Sequence, residues 1–178
     1  GTPKDDDSAS WLYLGQALHA RERYAESERA FRRSLATDPK SLNAMAGLIE
    51  SRVAQGEAAD ARELAAKMAK DYPDSALAWF MHGSTLANAQ QLKEAQVAME
   101  KSSDLAARQL NMERKVALGA ALVELQLSNR DLAKARASAD VLGRVVPNSP
   151  FAILMSARVS MAGGDFSTAS TELRRAGL

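Results

Sequence analysis

The side chains of this chain that could do chemistry are few. There is no cysteine, so disulfides, thiolate zinc sites and cysteine nucleophiles are ruled out together. The two histidines, His19 and His82, stand 63 positions apart, and neither is accompanied by a set of carboxylates at metal-ligand spacing. No glycine-rich phosphate loop, nucleophile elbow or HExxH stretch occurs, and the paired glycines of "AGGDF" at 162–166 read as a turn between helices. The sequence therefore offers no catalytic residue, no metal ligands and no cofactor site, and an enzyme is not expected. What it offers instead is surface.

The bulk composition limits the partners. Of 178 residues, 46% are apolar and 25% charged, enough for a folded chain with a real core. With 23 basic and 22 acidic side chains the formal net charge is +1, so no global field draws the protein to nucleic acid. No stretch approaches the roughly 18–20 apolar residues of a membrane span, which argues against direct membrane insertion. The opening "GTPKDDDSAS" is polar and turn-rich and starts at Gly1, the look of a mature or trimmed fragment. Residues 1–7 are expected to be a flexible lead; Asp5, Asp6 and Asp7 either belong to it, the favoured reading, or favour the start of the first helix electrostatically.

The elements that must carry any function show themselves through repetition. Three places read Pro-x-Ser: Pro39-Lys40-Ser41, Pro73-Asp74-Ser75 and Pro147-Asn148-Ser149. The first two prolines lie 34 residues apart, and the third follows 74 residues later, twice 34 plus six. Proline ends one helix and serine caps the free amides of the next, with Pro150 suited to a first helical position. Between these marks each unit reads as two helices joined by a short turn at "RERY" (21–24), "AQGEA" (54–58), "NAQQL" (88–92), "SNRDL" (128–132) and "GGDF" (163–166).

These units resemble tetratricopeptide repeats. Unit one carries the matching Trp11, Leu14, Gly15, Tyr24, Phe31, Leu35 and Pro39, with Ser27 and Ser34 where alanine is usual. Unit two keeps Leu48, Gly56, Ala61 and Pro73, and unit three keeps Trp79, Gly83 and Ala95. Unit four keeps Leu122, Ala135 and Pro147, and unit five Gly164, Asp165, Phe166, Ala169 and Ala176. The resemblance implies an all-α, right-handed superhelical solenoid of antiparallel helix pairs over residues 8–178. Its units would fall at about 8–41, 42–75, 76–109, 116–149 and 150–178, with an insertion near 110–115. Small residues would sit where paired helices cross, and Tyr24, Leu92, Leu132 and Phe166 would fill the space beside each turn. His82 falls where the pattern wants leucine and is expected to be packed with a local hydrogen bond. Met45, Met68 and Met99 are expected in the core, and "RAFRRS" with Glu26 and Glu28 on a solvated face.

In such repeats the concave surface is lined by the first helix of each unit at its second, fifth, ninth and twelfth positions. Carried over, the candidate groove residues are Leu12, Gln16 and His19 in unit one, Asn43, Glu50 and Val53 in unit two, and Leu77, Phe80 and Ser84 in unit three. Unit four adds Glu124 and Leu127, and unit five Phe151, Leu154, Arg158 and Met161. Some family members grip a C-terminal carboxylate with Lys and Asn at the fifth and ninth positions. Leu12 and Gln16, Ala46 and Glu50, and Phe80 and Ser84 stand there here, so that clamp is absent. The resemblance implies a non-enzymatic scaffold for a peptide or protein segment, an amphipathic helix or an extended strand with apolar anchors. A structural spacer or self-assembly module acting through its ends or convex face, a homo-oligomer formed through an uncapped last unit, is the alternative. The Ala- and Arg-rich texture also resembles bacterial envelope and secretion-associated repeat proteins, which leans toward a periplasmic or envelope-associated rather than a cytoplasmic setting.

One stretch departs from the period. In "DLAARQLNMERKVALG" (104–119) Ala107 takes the expected proline position, and six residues are added. With no serine to open the next helix, the second helix of unit three is expected to end near Ser103 or Asp104. The first helix of unit four would then begin around Ala107 or Arg108, and the insertion is either tolerated without effect or projects Leu110, Met112, Arg114 and Lys115 beyond the stack.

Overall fold

The structure, a computed structural model, describes residues 7–177. Among them the chain forms ten helices and no strand. These pair as α1 (Ser8–His19) with α2 (Tyr24–Thr37), α3 (Leu42–Ala54) with α4 (Ala58–Asp71), and α5 (Ala76–Asn88) with α6 (Leu92–Gln109). Next come α7 (Met112–Ser128) with α8 (Leu132–Val145), and α9 (Pro150–Ala162) with α10 (Phe166–Ala176). Each helix packs on the next in the chain, and the pairs stack into a right-handed superhelical solenoid.

Within each pair the turn repeats one local solution. Glu22, Gly56, Gln90, Arg130 and Gly164 all hold positive φ, between 59° and 83°. The amide after each donates back across the turn: Arg23 to the Leu18 carbonyl (3.0 Å), Glu57 to Arg52 (2.9 Å), Gln91 to Leu86 (3.0 Å), Asp131 to Gln126 (2.7 Å) and Asp165 to Ser160 (2.9 Å). This six-to-one bond satisfies a carbonyl of the ending helix and reverses the chain. Two units place glycine there at no steric cost, and three hold a larger residue at roughly 1–2 kcal/mol, which the surrounding stack must outweigh.

Between pairs the start signals differ in detail. Ser41 and Ser75 accept hydrogen bonds from the amides of Ala44 (3.4 Å) and Ala78 (3.2 Å). Ser149 makes no such bond, and Pro150 takes the first helical position, where a missing N–H leaves no donor unsatisfied. Asp7 caps α1 by accepting from the Ser10 amide (3.1 Å), so it is part of the first helix start rather than of a lead; Asp5 and Asp6 lie outside the described residues.

The small residues at the crossings are buried as the packing requires. Ala61, Ala95 and Ala135 have no exposure, and Ala169 has 2%. Ser27 stands at the same place and donates to the Gly15 carbonyl (2.8 Å), so its hydroxyl is satisfied inside the crossing. The core runs as three successive clusters: Phe31, Ala44 and Leu48 between the first pairs, a long middle cluster from Ala46 to Leu125, and Val123, Leu142, Met155 and Val159 toward the last pair. Met68 and Met99 are buried, and Met45 is half-buried against the middle cluster. Tyr24 and Leu92 are half-buried beside their turns, whereas Leu132 is 37% and Phe166 69% exposed. Phe166 opens to solvent because, among the described residues, no further pair covers the outer side of α9 and α10.

The basic face of α2 is solvated at Arg29, Arg32 and Arg33, which are exposed, but Glu28 is drawn into a network. Glu28, only 13% exposed, accepts from Arg32 (2.9 Å), Arg52 (3.0 Å) and Gln55 (2.9 Å), and Arg33 lies over the Trp11 ring at 5.9 Å. Burial pushes the Glu28 carboxyl up, but the three hydrogen bonds and the Arg52 charge together outweigh it and hold it below the usual carboxylate range.

The six added residues are arranged differently from the sequence expectation. The second helices α2, α4 and α8 have 14 residues, but α6 has 18; the first helices α3, α5 and α9 have 13, but α7 has 17. Each helix at this join gains four residues while the loop shrinks from four residues to two, Leu110 and Asn111, which accounts for the net six. Asn111 supplies the missing cap by accepting from the Arg114 amide (2.9 Å). Leu110 is buried rather than projecting, and Arg114 and Lys115 are half-buried; only Met112, at 58%, stands out to solvent. The elongated α6 is tied down by Gln109, whose carboxamide accepts from the Ala76 amide (2.7 Å) and donates to the Asp74 carbonyl (3.0 Å), closing unit three end to start.

Candidate functional site

The first helices form the inner wall. α1 lies against α3, α3 against α5, and α7 against α9, whereas α7 docks on α6 without a comparable approach to α5. The wall therefore has two parts, with Phe80 and Ser84 of α5 at the seam.

In the first part, Gln16, His19, Asn43 and Glu50 come together around a cavity of about 150 Å³ floored by Phe31 and Gly47. Phe31 reaches this floor because Gly15 and Gly47 have no side chains: a Cβ on either would stand 2.6 Å or 2.3 Å from the ring. His19 is half-buried, with Nδ1 3.3 Å from the Ser51 hydroxyl and its ring edge-on to Tyr24 at 5.1 Å. Gln16 and Asn43 leave their carboxamides exposed. Leu12 packs against Phe31, and Val53 against the middle cluster, so both contribute shape more than reach.

The fifth member of this cavity was not legible as a groove residue. Arg114, from the extra turn of α7, crosses from unit four to unit two and brings its guanidinium 3.5 Å from the Glu50 carboxylate and 3.8 Å from Met81 Sδ. The signal is its spacing: Arg114 lies three residues before Ala117, the second position of unit four's first helix and so the start of its inner stripe, and lengthening α7 at its start extends that stripe. Burial raises the Glu50 carboxyl above its usual range, against the opposing pull of Arg114 and His19. The carboxylate keeps 40% of its surface open to water, yet it sits inside a concave wall where protein displaces most of the bulk solvent. The direction of the shift follows from that enclosure.

In the second part, Glu124 of α7 and Arg158 of α9 form a two-point ion pair at 2.5 and 2.8 Å. Leu127 and Leu154 flank it half-buried against the last cluster, and Phe151 and Met161 are exposed at 42% and 39%. Leu77 is 8% exposed and belongs to the core, because α5 turns that position toward α3 and α6.

His82 lies outside this wall, beside Asp60, Arg62 and Glu63 in a separate cleft. It has no local hydrogen bond: its Nδ1 is buried without a partner, its ring stands 6.1 Å from Trp79, and burial lowers its pKa. Among the described residues no three His, Asp or Glu side chains cluster to hold a metal, and no helix is long and apolar enough to cross a membrane. The inner wall thus presents separated polar groups on an apolar surface.

Residues 18–81 match the family model of the tetratricopeptide repeat. No sequence among the curated proteins matches the chain. Among solved structures it is similar to PilF of Pseudomonas aeruginosa, at 20% identity and a TM-score of 0.81, covering 96% of this chain and 75% of that one. It is similar also to MamA of Desulfovibrio magneticus RS-1, at 14% identity and a TM-score of 0.74 over 99% and 95% of the two chains. YrrB, described as a tetratricopeptide-repeat protein with an unusual peptide-binding site, matches at 15% identity and 0.67 over 96% and 85%. At these identities the likeness is one of fold.

Proposed function

This chain is a tetratricopeptide-repeat protein, an architecture of interaction scaffolds, and from that premise we propose that it acts without catalysis by holding a peptide or protein segment in its concave groove. The observation that carries the reading is the inner wall itself. Phe80, Leu127, Leu154 and Phe151 offer apolar contact, and Gln16, Asn43, Glu50 and Arg114 offer spaced hydrogen-bonding and charged groups around one cavity. A segment with apolar anchors at helical or alternating spacing and a few polar side chains between them fits that surface. YrrB, with its peptide-binding site on the same fold, supports the reading by analogy. The Ala- and Arg-rich texture of the sequence favours a role in assembling a bacterial envelope or secretion complex.

The test is to select peptides from a displayed library against the protein and measure the best binder on wild type and on the double variant Phe80→Asp, Arg158→Glu. Affinity should fall about tenfold or more, as for removal of a buried anchor, with helicity retained at the assay temperature and only the melting point lowered, since Phe80 packs on the middle cluster and Arg158 pairs with Glu124. Equal affinity would place the peptide elsewhere and remove the groove assignment.

A second reading, self-assembly through the last unit, is favoured by the exposure of Phe166, Phe151 and Met161 near one end. Light scattering across a concentration series decides it: growth in mass that Phe166→Ser abolishes supports association, and a constant monomer mass removes it.

A further inference from the structure

The ninth position of the first helix in each unit sets the polar pattern of the inner wall: Gln16, Glu50, Ser84, Glu124 and Arg158. Two of these are glutamates, and each is followed 34 residues later by the ninth position of the next unit. Glu124 meets Arg158 there, and the two side chains close a two-point ion pair at 2.5 and 2.8 Å. The counterpart of Arg158 for Glu50 is Ser84, whose short neutral side chain offers no cation. The same carboxylate thus stands in two settings, once with a guanidinium from the neighbouring unit and once without.

What surrounds Glu50 does not make good the difference. Arg114 approaches from α7, two units on, but stops 3.5 Å from the carboxylate, an electrostatic contact without a hydrogen bond. Among the described residues Glu50 accepts no hydrogen bond, and the carboxamides of Gln16 and Asn43, which line the same cavity, have no partner. Burial pushes the Glu50 carboxyl up by more than Arg114 and His19 pull it down, and the Glu113 charge adds to the rise. His19 supplies one more acceptor. Ser27 donates its single proton to the Gly15 carbonyl (2.8 Å), so Ser51 donates to Ser27 (3.1 Å) and accepts from His19 Nδ1 (3.3 Å). That tautomer leaves the lone pair on Nε2, on a ring that lines the cavity.

We propose that this cavity is an arginine subsite of the groove: a partner segment places a guanidinium on the Glu50 carboxylate, as Arg158 does on Glu124. The subsite rests on the reading of the concave wall as the binding surface. A planar fork bonds both Glu50 oxygens, and its remaining N–H groups find acceptors in the carboxamides of Gln16 and Asn43 and in His19 Nε2. Phe31 and Gly47 on the floor give the alkyl stem an apolar bed. Arg114 is then a resident competitor, near enough to face the carboxylate but too loosely bonded to exclude a two-point partner.

The test is an NMR titration near pH 7 with N-acetylarginine amide, read at the side-chain NH2 signals of Gln16 and Asn43 and the backbone amide of Gly47. Saturable shifts are expected there, and N-acetylcitrulline amide, of similar shape without the charge, should bind more weakly. Glu50→Gln should lower the affinity for the arginine probe to that of the citrulline probe. Ser84→Arg should abolish the titration by supplying the guanidinium from within. Arg114→Gln separates a cation site from an anion site: it should tighten binding about 2- to 5-fold by removing the competitor. No saturable shift at these residues, equal binding of the two probes, binding that survives Glu50→Gln or Ser84→Arg, or weaker binding in Arg114→Gln overturns the subsite. If the probe fails while the Phe80→Asp, Arg158→Glu variant still loses a selected peptide, the arginine subsite falls and the groove stands. If the probe behaves as expected while that variant keeps the peptide, the cavity holds its cation and the groove assignment falls.

Discussion

Gly47→Ala is the most informative single change, because it acts on the floor of the groove cavity through one side chain. Phe31, 1% exposed, lies between α1 and α3 with its ring against two backbones. A Cβ at 47 would stand 2.3 Å from Phe31 Cζ, where ordinary contact begins at 3.4 Å, so ring and helix must part by about 1 Å. Retreat is blocked on the other side, since the Cβ position of Gly15 is 2.6 Å from Cε1 of the same ring. Overpacking of this kind costs about 1–3 kcal/mol, against a helical gain of about 0.5–1 kcal/mol for replacing glycine. The net expectation is a loss of about 0.5–2 kcal/mol, or a few degrees in Tm for a chain of this length. Gly143→Ala is the control: it lies in α8 with nothing within 4 Å, so only the helical gain remains, about 0.5–1 kcal/mol. Urea midpoints of the two variants should move in opposite directions, and Phe31→Leu in the Gly47→Ala background should restore part of the loss. A Gly47→Ala midpoint at or above that of Gly143→Ala would refute the slot.

Two carboxylates with opposite shifts give opposite pH behaviour. Glu28 is held below its usual range, so its contribution is present above the unfolded value of about 4.3 and is lost as pH falls through the lower folded value. Glu28→Gln should cost about 1.5–3 kcal/mol near pH 7, the worth of hydrogen bonds to a charged group, and the gap to wild type should close on acidification, as read from urea midpoints at pH 7 and 3. Glu50 is raised by burial, so its ionised form is penalised in the fold above the folded value, and the penalty vanishes below about 4. Glu50→Gln should therefore raise the midpoint at pH 7 and leave it unchanged at pH 3, and a lowered midpoint at pH 7 would mean that Arg114 outweighs burial.

The helix pairs were legible because their punctuation is chemical and local. Proline before serine ends one helix and starts another whatever lies around it, and Gly56 and Gly164 mark turns that need positive φ. Glu22, Gln90 and Arg130 adopt the same conformation with no such mark, so their turns were found by phase rather than by residue type. The fate of Glu28 was hidden for a different reason. Its charge alternates with arginines along α2, as on a solvated face, yet Arg52 and Gln55 of the next pair reach over and enclose it.

The six added residues show most sharply where local reading stops. Leu110 and Asn111 carry no proline and no serine, and helical period alone runs straight through them. The break falls there because Leu110 can be buried in the middle cluster and Asn111 can cap α7, and because Gln109 bonds to the start of α5, 33 residues earlier. Those partners are distant in sequence, so no spacing rule announces them. The same join has a consequence for the inner wall. The longer α7 carries Arg114 to Glu50, a contact between units two and four that a stack of nearest neighbours does not make. A period broken at one point has thus altered the wall itself, because the turn added at the start of α7 sets a cation against a carboxylate that the regular repeat would leave without it.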